Sequence, residues 1–263
     1  MTLPSFVEDP GIPLEVADAA EDSGLDAVFA FDHLFGEGPA GRRPALDCFA
    51  LLGAVAAETE SLALGPLVAR ATLRKPAVLA GELDTLHRVS EGRVIAAIGG
   101  GDRRSQREDD EYGVRVDSVS HRVGALLSSV RATRDRGYPV WVGGRASSLG
   151  TVIAQADGWN RWGGTPADFA GDAALLHRSA SVGATLTWGG LAVVGATDGD
   201  AERKAESLSA PPGAIVGGPR SVAQQLRAYA DAGAEWVIVA PVDSSEVSNA
   251  GLLGEVASYL RRG

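Results

Sequence analysis

Apolar and polar positions along this chain alternate between two textures. Amphipathic, Ala-rich segments are followed by short runs of Val, Ile, Ala and Trp that show almost no polar alternation. In four places the junction is the same: AAEDSGLDAVFAF (19–31), TLHRVSEGRVIAAIG (85–99), VRATRDRGYPVWVGG (130–144) and AYADAGAEWVIVAP (228–241) each put a glycine between the two textures. A glycine there suits the left-handed residue that ends a helix, so each segment predicts a helix feeding a strand. Strands that read as continuous apolar runs are buried on both faces, the mark of a parallel sheet covered by helices.

Alternating units of this kind fit either a doubly wound sheet or an eight-fold barrel. The strand candidates are 2–7, 26–31, 62–68, 93–99, 139–144, 156–162, 186–195 and 235–241, which makes eight and favours a barrel. Helices are expected at 13–22, 45–59, 76–89, 118–134, 146–155, 166–181, 200–208, 220–231 and 248–262. The stretch SAPPGAIVGGPR (209–220) reads as a loop with at most one short strand, and no linker breaks the pattern. The expectation is therefore a single α/β domain over residues 1–263.

Composition narrows the function. With 45% apolar and 22% charged residues over 263 positions, the chain can build one sizeable core. A formal charge of −10 argues against nucleic acid, whose recognition begins with a basic patch. No stretch of eighteen apolar residues suggests a membrane span. The single cysteine, Cys48, and an N-terminal stretch without signal character lead us to expect a cytoplasmic protein.

In a barrel, chemistry belongs to the loops after the strands. Those loops hold Asp32-His33, LVARATLR (67–74), GGGD (99–102), GGR (143–145), RWGG (161–164) and Pro241-Val242-Asp243. They hold no CxxC pair, no HExxH, no GxSxG and no GxxxxGK[ST], so a protein nucleophile or a metal site has little support. GGGD is not a dinucleotide fingerprint, because RRSQREDDEYG follows it in place of an apolar-periodic helix.

Read in order, the DH pair after the second strand, LGPLV...LRKPAVLAGELDTLHRVSEGRVIAAIGGG, EYG, ADGW and VGGPRSVAQQLRAYADAGAEWVIV resemble the luciferase-like monooxygenase superfamily over nearly the whole chain. The Ala/Gly/Arg-rich style is similar to its deazaflavin-dependent branch. The resemblance implies a TIM-type (β/α)8 barrel that binds coenzyme F420 (8-hydroxy-5-deazaflavin) or, alternatively, FMN. It also implies a homodimer acting on a small molecule.

Carried over residue by residue, the resemblance makes His33 the imidazole near the reactive ring and Asp32 the carboxylate that helps place it. Asp102 matches a carboxylate acting as an acid or base in some relatives, with loop pairing to Arg103 or Arg104 as the other reading. Leu67 and Val68 fall where relatives carry a non-prolyl cis peptide against the cofactor ring. Gly99, Gly100 and Gly101 let a flat ring approach the backbone. Gly143, Gly144 and Arg145, with Arg161, Trp162, Gly163 and Gly164, open two helices whose free amides suit the cofactor phosphate. Arg70, Arg74, Lys75, Arg103, Arg104 and Arg107 form a cationic track that could guide an anionic cofactor tail, or a solvated face. Trp159, Trp162, Trp188 and Trp236 read as packing residues.

Two departures stand out. Gly36-Glu37-Gly38 replaces an aromatic found after the DH pair in sugar-phosphate-oxidising relatives, and the insertion between the fourth and fifth strands is reduced to SVSHRVGALLSSVRATRDRGY. The expected function is hydride transfer between C5 of the deazaflavin and a small organic substrate. An FMN-dependent two-component monooxygenase and a non-catalytic flavin-binding protein are the alternatives.

Overall fold

The computed structural model describes residues 1–38, 41–101, 105–116, 118–178 and 183–262. Its strands, in chain order, are β1 Ala27–Ala30, β2 Phe35–Gly38, β3 Gly41–Pro44, β4 Ala63–Pro66, β5 Ala69–Arg70, β6 Ala96–Gly99, β7 Val140–Gly143, β8 Gly158–Trp162, β9 Thr185–Val194, β10 Ile215–Gly217 and β11 Trp236–Pro241. The helices are α1 Gly11–Asp22, α2 Cys48–Glu58, α3 Pro76–Val89, α4 Gln106–Glu111, α5 Val119–Thr133, α6 Ala146–Ile153, α7 Pro166–Arg178, α8 Asp198–Ser207, α9 Pro219–Asp231 and α10 Ser248–Arg261.

Backbone pairing runs round a ring. Thr2 bridges Phe29, β1 pairs with β4, Leu64 bridges Val94, and β6, β7, β8, β9 and β11 follow, all parallel. The Thr2 amide then donates to the Val239 carbonyl of β11 at 3.0 Å and closes the circle. Eight staves result, with β4 and β5 together forming the third.

Gly24, Gly92, Gly137 and Gly233, the glycines at the four helix-to-strand junctions, have φ between 69° and 101°, as the left-handed turn out of a helix requires. Helix starts follow local chemistry as well. The side chains of Asp47, Ser118 and Thr197 accept from backbone amides of α2, α5 and α8, and Pro76 and Pro219 begin α3 and α9.

Some elements differ from expectation. The first strand shrinks to a bridge at Thr2 and helix α8 begins earlier, at Asp198, whereas the short strand allowed for in 209–220 forms at residues 215–217 beside β9. Hairpin β2–β3 and helix α4 stand on loops where no regular structure was expected. The expected end of the 166–181 helix lies partly outside the described residues.

The lumen is packed by Phe29, Leu67, Ile95, Trp141 and Ile238, while a larger apolar layer fills the space between staves and helices. Gly158 makes room for the Trp141 indole, since a Cβ there would lie 2.3 Å from its ring. Among the described residues no helix is long and apolar enough to cross a membrane.

Candidate active site

The cavity at the C-terminal ends of the staves has a volume of about 630 Å³, within the size range of small-molecule sites. It is lined by Phe31, Asp32 and His33 after β1, by Leu67 and Val68, by Gly99–Gly101, by Gly143-Gly144 and by Trp162. A second cavity of about 380 Å³ opens at the opposite end, where Leu25, Trp236 and Leu260 surround it. Of its charged lining groups, Arg261 and Asp26 pair at 2.8 Å, Glu235 accepts from the Leu186 amide at 3.0 Å and the Met1 amino group donates to the Ala27 carbonyl at 2.7 Å.

His33 is held by a residue that the sequence did not mark. Its Nδ1 lies 2.6 Å from Oε1 of Glu108, on α4. Oε2 of Glu108 accepts from the Leu34 amide at 2.7 Å and from Nη1 of Arg70 at 2.9 Å. Arg70 also donates to Asp109. The available signal was the acidic run EDDE, whose first member has no distinguishing neighbour in sequence.

Asp32 is buried beside His33 but does something else. It accepts two bonds from the Arg74 guanidinium, at 2.6 and 3.1 Å, and a third from the Arg70 amide at 2.8 Å. The expected placement of the imidazole by Asp32 is therefore corrected: Asp32 ties the loop after β5 to the end of β1, and Glu108 contacts the ring. Arg74 reaches Glu82 at 2.8 Å with its Nε. Burial would lower its pKa, yet the hydrogen bond and charge of Asp32 outweigh that and raise it. Burial, then the charge of Asp32, pushes the Cys48 thiol well above its ordinary range, which disfavours the thiolate.

The cationic track is overturned at two positions. Arg70 and Arg74 are enclosed in these ion pairs, and neither faces solvent as a guiding charge. Arg107 pairs with Glu37 at 2.6 Å on the surface. Asp102, Arg103 and Arg104 lie outside the described residues.

The Leu67–Val68 peptide is cis. The Val68 isopropyl group sits against two glycines: a Cβ on Gly99 would come 2.3 Å from its Cγ2, and one on Gly143 would come 2.6 Å from its Cγ1. Those two glycines are thus required by Val68, whatever else approaches them. Gly100 and Gly101 complete the floor, Gly101 with φ of 72°.

At the other side, three carbonyls of the glycine loops are turned inward. Trp159 Nε1 donates to Gly144 at 2.7 Å, Trp188 Nε1 to Gly163 at 3.2 Å, and the Tyr229 hydroxyl to Gly164 at 2.8 Å. Among the described residues, the amides of Gly164, Ala146 and Ser147 have no hydrogen-bond partner, which with the start of α6 makes a concentration of free donors. Arg145 is exposed beside them. Arg161 differs from expectation: it is buried under Gly164 and paired with Asp172 at 2.9 Å, so it supports the loop and is not free for an anion. Trp159 and Trp188 are packing residues as expected. Trp162 is not, being 40% exposed and edge-on to Phe31 at 5.7 Å.

Residues 8–123 match the family model described as luciferase-like monooxygenase. That match covers less than half of the chain. The matched span contains His33, Asp32, the cis peptide and Glu108. The chain is 32% identical over 143 residues to an F420-dependent glucose-6-phosphate dehydrogenase of Nakamurella multipartita, covering 52% of this chain and 40% of the relative. It is 39% identical over 128 residues to the enzyme of that name from Beutenbergia cavernae, covering 45% and 38%. The chain thus spans well under half the length of these relatives. An F420-dependent secondary alcohol dehydrogenase in complex with an F420-acetone adduct superposes with a TM-score of 0.85 at 16% identity, covering 98% of this chain and 96% of that one, which establishes the shared fold.

Proposed function

We propose that this protein is an F420-dependent oxidoreductase that exchanges a hydride between the deazaflavin and a small organic substrate. The observation that carries the reading is the imidazole of His33, held through Nδ1 at a cavity whose floor is Val68 on Gly99 and Gly143. The relatives named above, two dehydrogenases and one alcohol dehydrogenase, all use F420 by name.

The residues present fit such a coenzyme. An apolar floor at Leu67, Val68 and Gly99–Gly101 suits a tricyclic ring, and the amides of Gly164, Ala146 and Ser147, unpartnered among the described residues, suit a phosphate. When bound, the deazaflavin supplies a carbon that gives or takes hydride. The protein's own part is to orient, to exclude water and to manage a proton. Phe6, Phe31 and Trp162 form the apolar wall of the cavity. His33 Nε2, free of partners among the described residues, gives or takes the proton that a carbonyl or hydroxyl of the substrate exchanges as hydride moves.

The test is a fluorescence titration of the apo protein with F420 and, side by side, with FMN. We expect tighter binding of F420; preference for FMN would replace this reading by the monooxygenase one, and binding of neither would remove both. His33→Ala separates an enzyme from a binder. It should lower turnover by about 10²- to 10⁴-fold, whereas a non-catalytic flavin-binding protein would show a change in ligand affinity alone.

A further inference from the structure

Glu108 is buried, and each of its oxygens is committed. Oε2 is met by the Leu34 amide and by Arg70 Nη1, groups that can only donate. Oε1 is left for Nδ1 of His33, 2.6 Å away. Arg70 is itself fixed, since its Nη2 goes to Asp109, whose other oxygen lies 3.7 Å from Arg122. The carboxylate therefore has no freedom to turn away from the imidazole.

We infer that Glu108 is the positioning residue of this site: it sets which ring nitrogen of His33 carries the proton and leaves Nε2 as the atom presented to the cavity. A carboxylate surrounded by donors accepts, so Nδ1 bears hydrogen in the neutral ring. Nε2 then offers a lone pair to a proton on the substrate, and the same carboxylate faces the imidazolium that forms. Asp32, the neighbour in sequence, has no part in this, because Arg74 and the Arg70 amide occupy it. The catalytic use of Nε2 rests on the function proposed above; the choice of tautomer does not.

The tautomer can be read directly by nitrogen NMR of the full chain labelled with ¹⁵N-histidine, with His33→Gln identifying the resonances and the ring kept neutral. In the natural protein Nδ1 is expected in the protonated range and Nε2 in the unprotonated range. Glu108→Gln gives a sharper expectation. The amide oxygen must remain with Leu34 and Arg70, which only donate, so the NH2 group faces Nδ1 and the ring inverts to the Nε2–H form. A natural protein with Nε2 protonated and Nδ1 bare, or a Glu108→Gln protein that keeps the original tautomer, overturns the inference. If Glu108→Gln fails to fold, the natural spectrum decides alone. Failure of F420 to bind would instead overturn the functional reading and leave this result standing.

Discussion

Glu21 shows how much of the fold hangs on single side chains away from the site. At the end of α1, its carboxylate accepts from the amides of Glu60, Ser61 and Leu62 and from the Ser61 hydroxyl, between 2.5 and 3.1 Å, pinning the approach to β4. Burial alone would raise its pKa, but these bonds outweigh it and hold the group at about 2, against an ordinary 4.5. A depressed folded value means stability that is present above pH 4.5 and lost as pH falls toward 2. Glu21→Gln should therefore lower stability at neutral pH and flatten its decline over that window. Urea midpoints measured across the acid range check this, and parallel curves for the two proteins would refute it. His33 was legible at this scale because a polar pair ends an apolar strand. Glu108 was not, because 75 residues separate it from the ring it contacts.

At the scale of elements, the helices and staves were legible and the roof of the site was not. Helix α4, with the sequence QREDDE, has no apolar face to announce it. It is held by Arg70 on Glu108 and Asp109, and by Arg42 of β3 on Glu111 and on the Tyr112 hydroxyl. Hairpin β2–β3 likewise takes its order from those cross-contacts, with Arg42 4.3 Å above the Phe35 ring. Glycines within elements divide into two kinds, and substitution separates them. Gly124 in α5 has nothing within 4 Å of a Cβ, so Gly124→Ala should stabilise by about 0.5–1 kcal/mol through helix propensity. Gly99 meets Val68, so Gly99→Ala should destabilise by about 1–3 kcal/mol as the isopropyl group is displaced. Denaturant unfolding of both variants tests the contrast; a neutral Gly99→Ala would mean that Val68 yields easily and does not define the floor.

At the scale of the molecule, ring closure brings together loops distant in sequence. The last stave, β11, and the first residues pair at Thr2 and Val239, and the cavity then draws on the loops after β1, β4, β6, β7 and β8. A ligand bound across so many staves should stabilise the whole unit and not one part. F420 at about 100 times its dissociation constant should add about 2.7 kcal/mol to unfolding, read as a raised Tm in a single transition. A local change without any shift in Tm would indicate binding to one loop alone.

The sequence by itself determined the staves from β1 onward, the order of the long helices between them, the glycine junctions and the place of His33, while the cis peptide was an expectation of the family resemblance alone. These follow from local causes: apolar runs, capping residues, backbone freedom, and motifs whose order along the chain is itself the signal. Tertiary structure alone decided the partners of each charge. Arg70, Arg74 and Arg161, which by sequence could have faced an anionic ligand, instead neutralise Glu108, Asp32 and Asp172. The physical reason is burial: a charge removed from water needs an opposite charge within reach, and which one lies within reach depends on the closing of the barrel.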